Sequence, residues 1–420
     1  MSENKHSSVA KEYFYYHLDP YVSEAIVEGI DPDFFVKVSS NLVIPDYLEG
    51  FPVTEIAEEA FQGIIGVESV TLPKKLRVIG EWSFADTKLK KINIPTTVEL
   101  IEGFAFFMCD IEEVTFFSKE EDISGLCEEF EIVPTAFNGN SLAKIKVGTE
   151  NPFVKDEEGK GLYTKDGEEI VLGTTYGEIA QGTKRIGANA FKEKSLTNIS
   201  LPETIVEIKE GAFGHNYITD INLPKNLKKI GGDAFSDNKI KRLHIPGSVT
   251  KVSEFSFANN TIEEVILEEG IEEIHQAAFA GNNIGELVIP QTIKYIGRLA
   301  FCDNLIQKIE IESKNLVVGA GAFLDNKIES VTLSEVDVAE IGANPVFGNN
   351  PIKKVFLKGL PKTPMFHFFS VYEGKTYYIL DTINTEEMFA SDKEVLQNNE
   401  VVALSCKDFE NVKRIQELYI

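Results

Sequence analysis

A phenylalanine recurs with a 22-residue period through the centre of this chain. Seven phenylalanines keep the spacing and an eighth follows slightly late: Phe191, Phe213, Phe235, Phe257, Phe279, Phe301, Phe323 and Phe347. The first seven each follow Ala or Ser. One such unit cannot bury its apolar side chains alone, whereas stacked copies turn each repeated position into a continuous core ridge. The spacing therefore predicts a solenoid.

Further apolar positions repeat with the same period and indicate the local structure of each unit. In the unit that starts at Phe213 they are Ile218, Ile221 and Leu223. The alternation of the last pair, and the β-branched residues at these positions, favour a short strand. Pro follows the strand in several units, as at Pro224, and cannot continue a ladder because it has no N–H to donate. Each unit is predicted to consist of strands and tight corners.

An asparagine closely follows most of the phenylalanines, at the same offset in each unit. The members of this Asn column are Asn216, Asn238, Asn260, Asn282, Asn304, Asn326 and Asn350. Stacked amides can hydrogen-bond to the next turn and to the backbone at a tight corner, which predicts a structural role. The alternative is a set of ligands for an ion.

The stretch from Ile218 to Phe235 reads ITDINLPKNLKKIGGDAF. It resembles the repeat of the BspA-like (Treponema-type) leucine-rich repeat family, and the resemblance covers roughly residues 41–360. That family usually has Cys at the position of the Asn column, and Cys109 alone keeps it. The resemblance implies a β-rich solenoid, a right-handed superhelix of about twelve 22-residue turns. It also implies a binding or adhesion scaffold without catalytic residues or cofactors.

Breaks in the period predict the domain organisation. Residues 1–40 are interpreted as an N-terminal cap with a short amphipathic helix over Val22–Ile30, residues 41–360 as the solenoid, and residues 361–420 as a C-terminal cap. Inserts are expected near 117–125 and 148–182; in the second, Asp166-Gly167 between two apolar pieces predicts a hairpin. In the C-terminal segment, residues 375–380 are predicted as a strand, and residues 385–390 and 407–419 as helices.

The acidic composition argues against two classes of partner. The net charge of −26, from 67 Asp and Glu against 41 Lys and Arg, disfavours nucleic acid and anionic membranes. The four cysteines have no CxxC spacing, so free thiols are expected. No signal peptide or membrane-spanning run is evident, which favours a cytoplasmic location; a secreted or surface location is the alternative.

No catalytic or metal-binding motif accompanies the repeat. The six histidines lack the spacing of a zinc site, and neither a nucleophile elbow nor a phosphate-binding loop is present. The function is therefore expected to be non-enzymatic, without cofactor or metal.

Two outward-facing columns of the strands offer a candidate interaction surface. Ile266 and Val288 are expected to be adjacent across neighbouring strands and to form an apolar centre with a charged rim, as interfaces commonly have. The predicted partner-binding residues are Arg242, His244, Glu264, Ile266, Glu286, Val288, Lys308 and Glu310. The favoured hypothesis is a protein-interaction scaffold of unknown partner and oligomeric state; the alternative is a secreted or cell-surface adhesin.

Overall fold

Two compact units, Met1–Leu196 and Thr197–Ile420, make up the chain. The computed structural model describes residues 13–31, 40–117, 130–148, 153–311, 316–334, 336–339, 344–359, 368–369, 375–380 and 400–404. These residues form short β-strands joined by turns, with no α-helix among them. The repeat and the strands confirm the predicted β-solenoid.

The first unit contains sixteen described strands, most of them short. They are β1 Phe14–Asp19, β2 Glu24–Ile30, β3 Asn41–Val43, β4 Tyr47–Leu48, β5 Phe51–Ile56, β6 Ser69–Thr71, β7 Val78–Ile79, β8 Lys91–Ile94, β9 Leu100–Ile101, β10 Glu113–Phe116, β11 Glu131–Ile132, β12 Lys144–Val147, β13 Val154–Asp156, β14 Gly161–Thr164, β15 Glu169–Gly173 and β16 Arg185–Ile186.

Parallel ladders connect successive turns of this unit. One sheet has the order β1-β2-β5-β7-β9-β11, with β4 paired to β5; a second has the order β12-β10-β8, and β3 pairs with β6. Pairing in β12-β10-β8 is strictly in register, with Glu113 between Lys91 and Lys144. Neighbouring strands thus come from successive turns, as stacked repeats require.

The segment Val22–Ile30 differs from the predicted helix. Most of it forms β2, antiparallel to β1 and parallel to β5. Burial alternates along it, with Ala25 and Val27 buried and Ile26 and Glu28 more exposed. The helix prediction was wrong because pairing with β1 and β5 fixes the segment as a strand. Side chains along a strand point alternately to its two faces, which explains the alternating burial.

The second insert contains the predicted hairpin. β14 and β15 are antiparallel across residues 165–168, and β13 pairs with the other side of β14. β15 then pairs in parallel with β16, so the hairpin returns the chain to the repeat ladder. The Tyr163 side chain is fully buried, and its hydroxyl accepts a hydrogen bond from the Ala180 N–H at 2.9 Å. The first insert falls largely outside the described residues.

The second unit contains fourteen described strands. They are β17 Glu207–Ile208, β18 Lys229–Ile230, β19 Arg242–Ile245, β20 Lys251–Val252, β21 Glu264–Leu267, β22 Glu273–Ile274, β23 Tyr295–Ile296, β24 Lys308–Ile311, β25 Val317–Gly319, β26 Ser330–Leu333, β27 Asp337–Ala339, β28 Lys354–Leu357, β29 Thr376–Leu380 and β30 Glu400–Leu404.

Two strand ladders run through the second unit. One has the order β17-β18-β20-β22-β23-β25-β27; the other comprises β19-β21 and β24-β26-β28-β29-β30. The pairs within both are parallel. Gly231 lies where turns approach closely, since a Cβ there would be 2.4 Å from the Glu210 nitrogen. Any larger residue at position 231 would therefore clash with the backbone of the neighbouring turn, which explains the glycine.

The repeat continues beyond residue 360. β29 pairs with β28 and β30 pairs with β29, both in parallel register. Phe369, the next member of the phenylalanine column after Phe347, is buried and stacks on it at a ring-centroid distance of 5.7 Å. The predicted strand at 375–380 is confirmed. The helices predicted at 385–390 and 407–419 lie outside the described residues.

The phenylalanine column is the core of each unit. Its members in the first unit are Phe61, Phe84, Phe106, Phe137 and Phe191, and in the second Phe213, Phe235, Phe257, Phe279, Phe301, Phe323, Phe347 and Phe369, all at most 1% exposed. Within the second unit, successive rings stack nearly parallel; Phe257 and Phe279, for example, are 5.7 Å apart at 8°. Offset-stacked aromatic pairs are stabilising beyond the area they bury.

The Asn column closes the corner beside the phenylalanines. Asn282 Oδ1 accepts the Ile262 N–H at 3.0 Å, and Asn282 Nδ2 donates to the carbonyls of Phe257, Phe279 and Ala280 at 3.0, 3.1 and 3.4 Å. The bonds therefore link consecutive turns through the backbone, and the predicted structural role is confirmed.

Lys194 occupies the same repeat position in the first unit. Its Nζ donates to the Phe137 carbonyl at 3.1 Å, and its side chain is fully buried. Burial lowers the pKa of Lys194 to about 8.

Candidate functional site

The predicted partner-binding residues lie on the outward side of β19, β21 and β24 and of the intervening turn. β19 and β21 are parallel, with Arg242 opposite Glu264 and His244 opposite Ile266. An isolated bridge sets Glu286 opposite Glu264. The Gln307 N–H donates to the Gly285 carbonyl at 3.4 Å, which brings β24 beside that turn. The eight residues therefore occupy consecutive turns of one strand face.

The centre of this face is apolar. Burial alternates along β19 and β21, so inward residues enter the core while the intervening ones face solvent. Ile266 is 50% exposed and Val288 81% exposed. Each follows the paired Glu264 or Glu286 at the same offset, which places the two side chains in neighbouring positions of one column.

Charged side chains surround these two residues. The Arg242 guanidinium lies 3.7 Å from the Asp220 carboxylate, and both side chains are well exposed. Lys308 Nζ lies 2.7 Å from Glu310 Oε1 on the same strand. The Arg242–Asp220 pair is exposed and contributes little to stability, so its charges can pair instead with those of a partner.

His244 is anchored by a residue that the repeat pattern did not single out. Its Nε2 lies 2.7 Å from Glu268 Oε1, while Glu268 Oε2 accepts the Gly247 N–H at 2.9 Å. The Gly247 N–H, followed by His244, lowers the pKa of the Glu268 carboxyl. Glu268 stands where four neighbouring units have Pro202, Pro224, Pro246 or Pro290. This departure from the repeat was the sequence feature that could have pointed to Glu268.

A pocket of about 340 Å³ opens beside Ile266 on this face. It is lined by Asp220, Asn222, Arg242, His244, Glu264 and Ile266, with Ile221 and Leu243 beneath. Asp220 and Asn222 belong to the same outward columns one turn earlier, and the sequence prediction omitted them from the site. The pocket adds a concave, mixed polar and apolar surface to the exposed centre.

The exposed face ends after β24. The outward columns continue with Ser330 and Thr332 on β26 and Phe356 on β28, which the pattern predicts to be exposed. They are only 5%, 1% and 2% exposed. This expectation was wrong because a 22-residue period specifies which side of a strand faces outwards, and not what else in the chain covers it.

The described residues provide little for catalysis. Among them, no group of three His, Cys, Asp or Glu side chains could hold a metal ion, and no helix could cross a membrane. Cys109 and Cys302 are free thiols, as predicted. Burial raises the pKa of Cys109, and burial with nearby Asp325 and Asp303 raises that of Cys302 to about 11. Neither is an activated nucleophile, since the thiolate is the reactive form.

The structure is similar to solved bacterial leucine-rich repeat proteins. A protein from Eubacterium ventriosum aligns at 16% identity over 70% of this chain and 93% of its own, with a TM-score of 0.43. One from Bacteroides ovatus aligns at 16% identity over 87% and 98%, with a TM-score of 0.42. The pneumococcal vaccine antigen PcpA aligns at 16% identity over 87% and 79%, with a TM-score of 0.41.

A search of curated proteins gave no significant match. The sequence profile of the BspA type leucine rich repeat region, in six copies, matches residues 28–131, 184–306 and 294–398, which is well over half of the chain. Together with the stacked phenylalanine turns, this match shows that the chain belongs to the BspA-type leucine-rich repeat family.

Proposed function

We propose that this protein is a non-enzymatic interaction scaffold that binds a partner protein through the exposed strand face of its second unit. The family is a repeat family of protein-interaction type and is generally non-enzymatic. Stacked repeats present extended surfaces whose variable positions can specify a partner while the core stays constant. Fold alone does not assign the binding site, so the proposal rests on particular residues.

The observation that carries the proposal is the exposure of Ile266 and Val288 side by side. Among the described residues of the outward strand columns, these are the large hydrophobic side chains left exposed. Equivalent positions elsewhere in the second unit carry Asn222 and His244, which are polar, or Thr332 and Phe356, which are buried. An apolar centre within a charged rim is the common arrangement of interface cores.

The rim constrains the partner's chemistry. Arg242 and Lys308 are cationic, whereas Glu264, Glu286 and Glu310 are anionic. A complementary surface needs both an apolar residue for the centre and charges of both signs around it. Complementary charges mainly set the association rate and specificity, while the buried apolar contact supplies most of the affinity.

The test replaces Ile266 and Val288 together with Asp in the full chain. Tagged wild type and I266D/V288D are used for affinity purification from the native host, with quantitative mass spectrometry. A partner that uses this face should be depleted at least about tenfold with the variant, as expected for loss of a buried interface centre.

Tyr217→Asp with Leu305→Asp is the matched control. Tyr217 is 57% and Leu305 44% exposed, in the same unit but outside the strands. This control adds the same charge and removes similar apolar area, so it should retain the partner. Equal recovery of all partners by wild type and I266D/V288D would reject the proposed face. Circular dichroism melting curves check that both variants remain folded.

A further inference from the structure

Three aromatic side chains meet at an outer corner of the first unit. The rings of Trp82 and Phe104 stack at a centroid distance of 4.5 Å and an interplanar angle of 15°. Phe107 packs edge-on against both, at 5.3 and 5.5 Å. All three residues are partly exposed, and the neighbouring Met108 is 55% exposed. We call Trp82, Phe104 and Phe107 the aromatic corner.

The repeat explains how the rings meet. Trp82 and Phe104 occupy the same repeat position in consecutive turns. The Phe107 N–H donates a hydrogen bond to the Phe104 carbonyl at 2.9 Å, and this bond closes the turn between the two residues. Ala85 holds the position of Phe107 one turn earlier, and its small side chain leaves room for Phe107 to lie against Trp82.

The core does not require these aromatic residues. Phe84 and Phe106 already fill the interior of the same turns and are fully buried. Trp82 and Phe104 have φ angles of 57° and 56°, in the left-handed region that bulky residues avoid. Equivalent described positions adopt the same positive φ with side chains of widely different sizes, namely Glu59, Asn189, Gly211, Asp233, Phe255, Ala277, Leu299 and Gly321. The backbone at this position therefore does not require an aromatic residue, and the rings of Trp82 and Phe104 are partly exposed.

Two carboxylates lie beside the aromatic corner. Glu102 Oε2 accepts the Glu81 N–H at 2.9 Å. Glu81 Oε1 is 3.7 Å from the position a Cβ would take on Gly103, the residue before Phe104. In the part of the chain that the structure describes, neither Glu81 nor Glu102 forms an ion pair. The corner thus combines aromatic faces with uncompensated negative charge.

We propose that the aromatic corner, with Glu81 and Glu102, binds an arginine side chain of a partner peptide. A guanidinium is planar, stacks on aromatic faces and forms paired hydrogen bonds with carboxylates. A lysine ammonium matches the charge without the planar stacking. The net charge of −26 favours approach of a cationic peptide. This site is separate from the strand face of the second unit and does not depend on it.

Trp82 is the single tryptophan of the chain, so its fluorescence reports on this corner alone. The full-length protein is titrated with a short peptide containing two arginines separated by glycine, at physiological salt. A saturable change in Trp82 emission is expected. The same peptide with lysines should bind several-fold more weakly, and the same peptide with glutamates should cause no change.

The variants separate local recognition from general attraction to an acidic protein. Phe104→Ala should weaken the arginine peptide at least tenfold, and Glu81→Gln with Glu102→Gln about as much. Phe255→Ala is the matched control: Phe255 has the same repeat position, a φ of 54° and 36% exposure. The Phe255→Ala variant should bind the arginine peptide with the affinity of wild type. The double variant Glu203→Gln with Glu263→Gln removes exposed carboxylates elsewhere and should also bind the peptide with wild-type affinity.

Three results would overturn the proposal. They are the absence of a saturable change with the arginine peptide, equal affinity for the arginine and lysine peptides, or equal affinity in Glu81→Gln with Glu102→Gln and in wild type. The glutamine pair keeps every ring, so it tests recognition even where Phe104→Ala alters the fold. A response of Trp82 to a neutral oligosaccharide such as cellohexaose, without a response to the arginine peptide, would make the corner a glycan platform instead.

Discussion

Replacing Asn282 with alanine tests the corner hydrogen bonds of the Asn column. Asn282 is 5% exposed and satisfies four backbone groups. Three of these are carbonyls that keep another donor. Phe257 O retains Asn260 Nδ2, Phe279 O retains Asn304 Nδ2, and Ala280 O retains the Asn259 N–H. The Ile262 N–H has no second acceptor among the described residues.

The expected cost follows from this inventory. An orphaned buried donor destabilises by about 1–3 kcal/mol, and the weakened carbonyl bonds add roughly 1 kcal/mol, so Asn282→Ala should lower the free energy of unfolding by about 2–4 kcal/mol. Asn282→Asp keeps the size of the side chain and an acceptor for the Ile262 N–H. It also brings an oxygen against three carbonyls, and should cost more than alanine at neutral pH.

Urea denaturation followed by far-ultraviolet circular dichroism measures these differences. Hydrogen–deuterium exchange of a peptide containing Ile262 measures the local effect, with faster exchange expected in Asn282→Ala, where the Ile262 N–H loses its acceptor. Asn283→Ala is the control, because Asn283 is adjacent but exposed. An Asn282→Asp variant as stable as wild type would refute the argument, since it would show that the column fills volume and that its donors are dispensable.

Three other perturbations test the core, the buried lysine and the thiol. Phe257→Ala should cost about 3–5 kcal/mol in urea denaturation, because the ring is fully buried between Phe235 and Phe279; a cost below about 1 kcal/mol would contradict its core role. Lys194→Asn should stabilise the protein at pH 7 by up to about 3 kcal/mol, since the pKa of Lys194 is about 8 when folded and about 10.4 when unfolded. Only the unfolded wild type keeps that proton between these pH values, so the lysine's destabilising effect is largest below the folded pKa and fades as the pH rises through this window. The variant's advantage should shrink accordingly; a pH-independent difference would contradict this. Cys302 should react with iodoacetamide at pH 8 on the order of ten to a hundred times more slowly than a free peptide cysteine in mass-spectrometric labelling, because its pKa is about 11; an equal rate would show that the thiol is not shielded.

Much of the fold was predictable because a tandem repeat encodes the same contacts many times. The phenylalanine period, the aliphatic positions and the Asn column each gain meaning from repetition, so one ambiguous residue cannot mislead the prediction. The hairpin around Asp166-Gly167 was predictable from local turn chemistry, and the structure confirms it. Strand alternation predicted that Ile266 and Val288 face outwards, and both side chains are exposed.

Other features depended on contacts between distant parts of the chain. Val22–Ile30 is largely a strand because β1 and β5 pair with it, although its local pattern was compatible with a helix. Thr332 and Phe356 are buried although their column faces outwards. The repeat period did not reveal the aromatic corner either. Predicting that Trp82 stacks on Phe104 requires knowing which corner positions face solvent.

The sequence by itself determined the repeating unit, because the same apolar positions recur in every unit and stacking brings the equivalent residues of successive units together. Tertiary structure alone decided which outward positions remain open to a partner. Exposure is a property of everything packed around a residue, and a 22-residue period carries no information about chain outside the repeat. The candidate interaction surfaces are therefore the places where the repeated core is unchanged and the outward side chains are exposed.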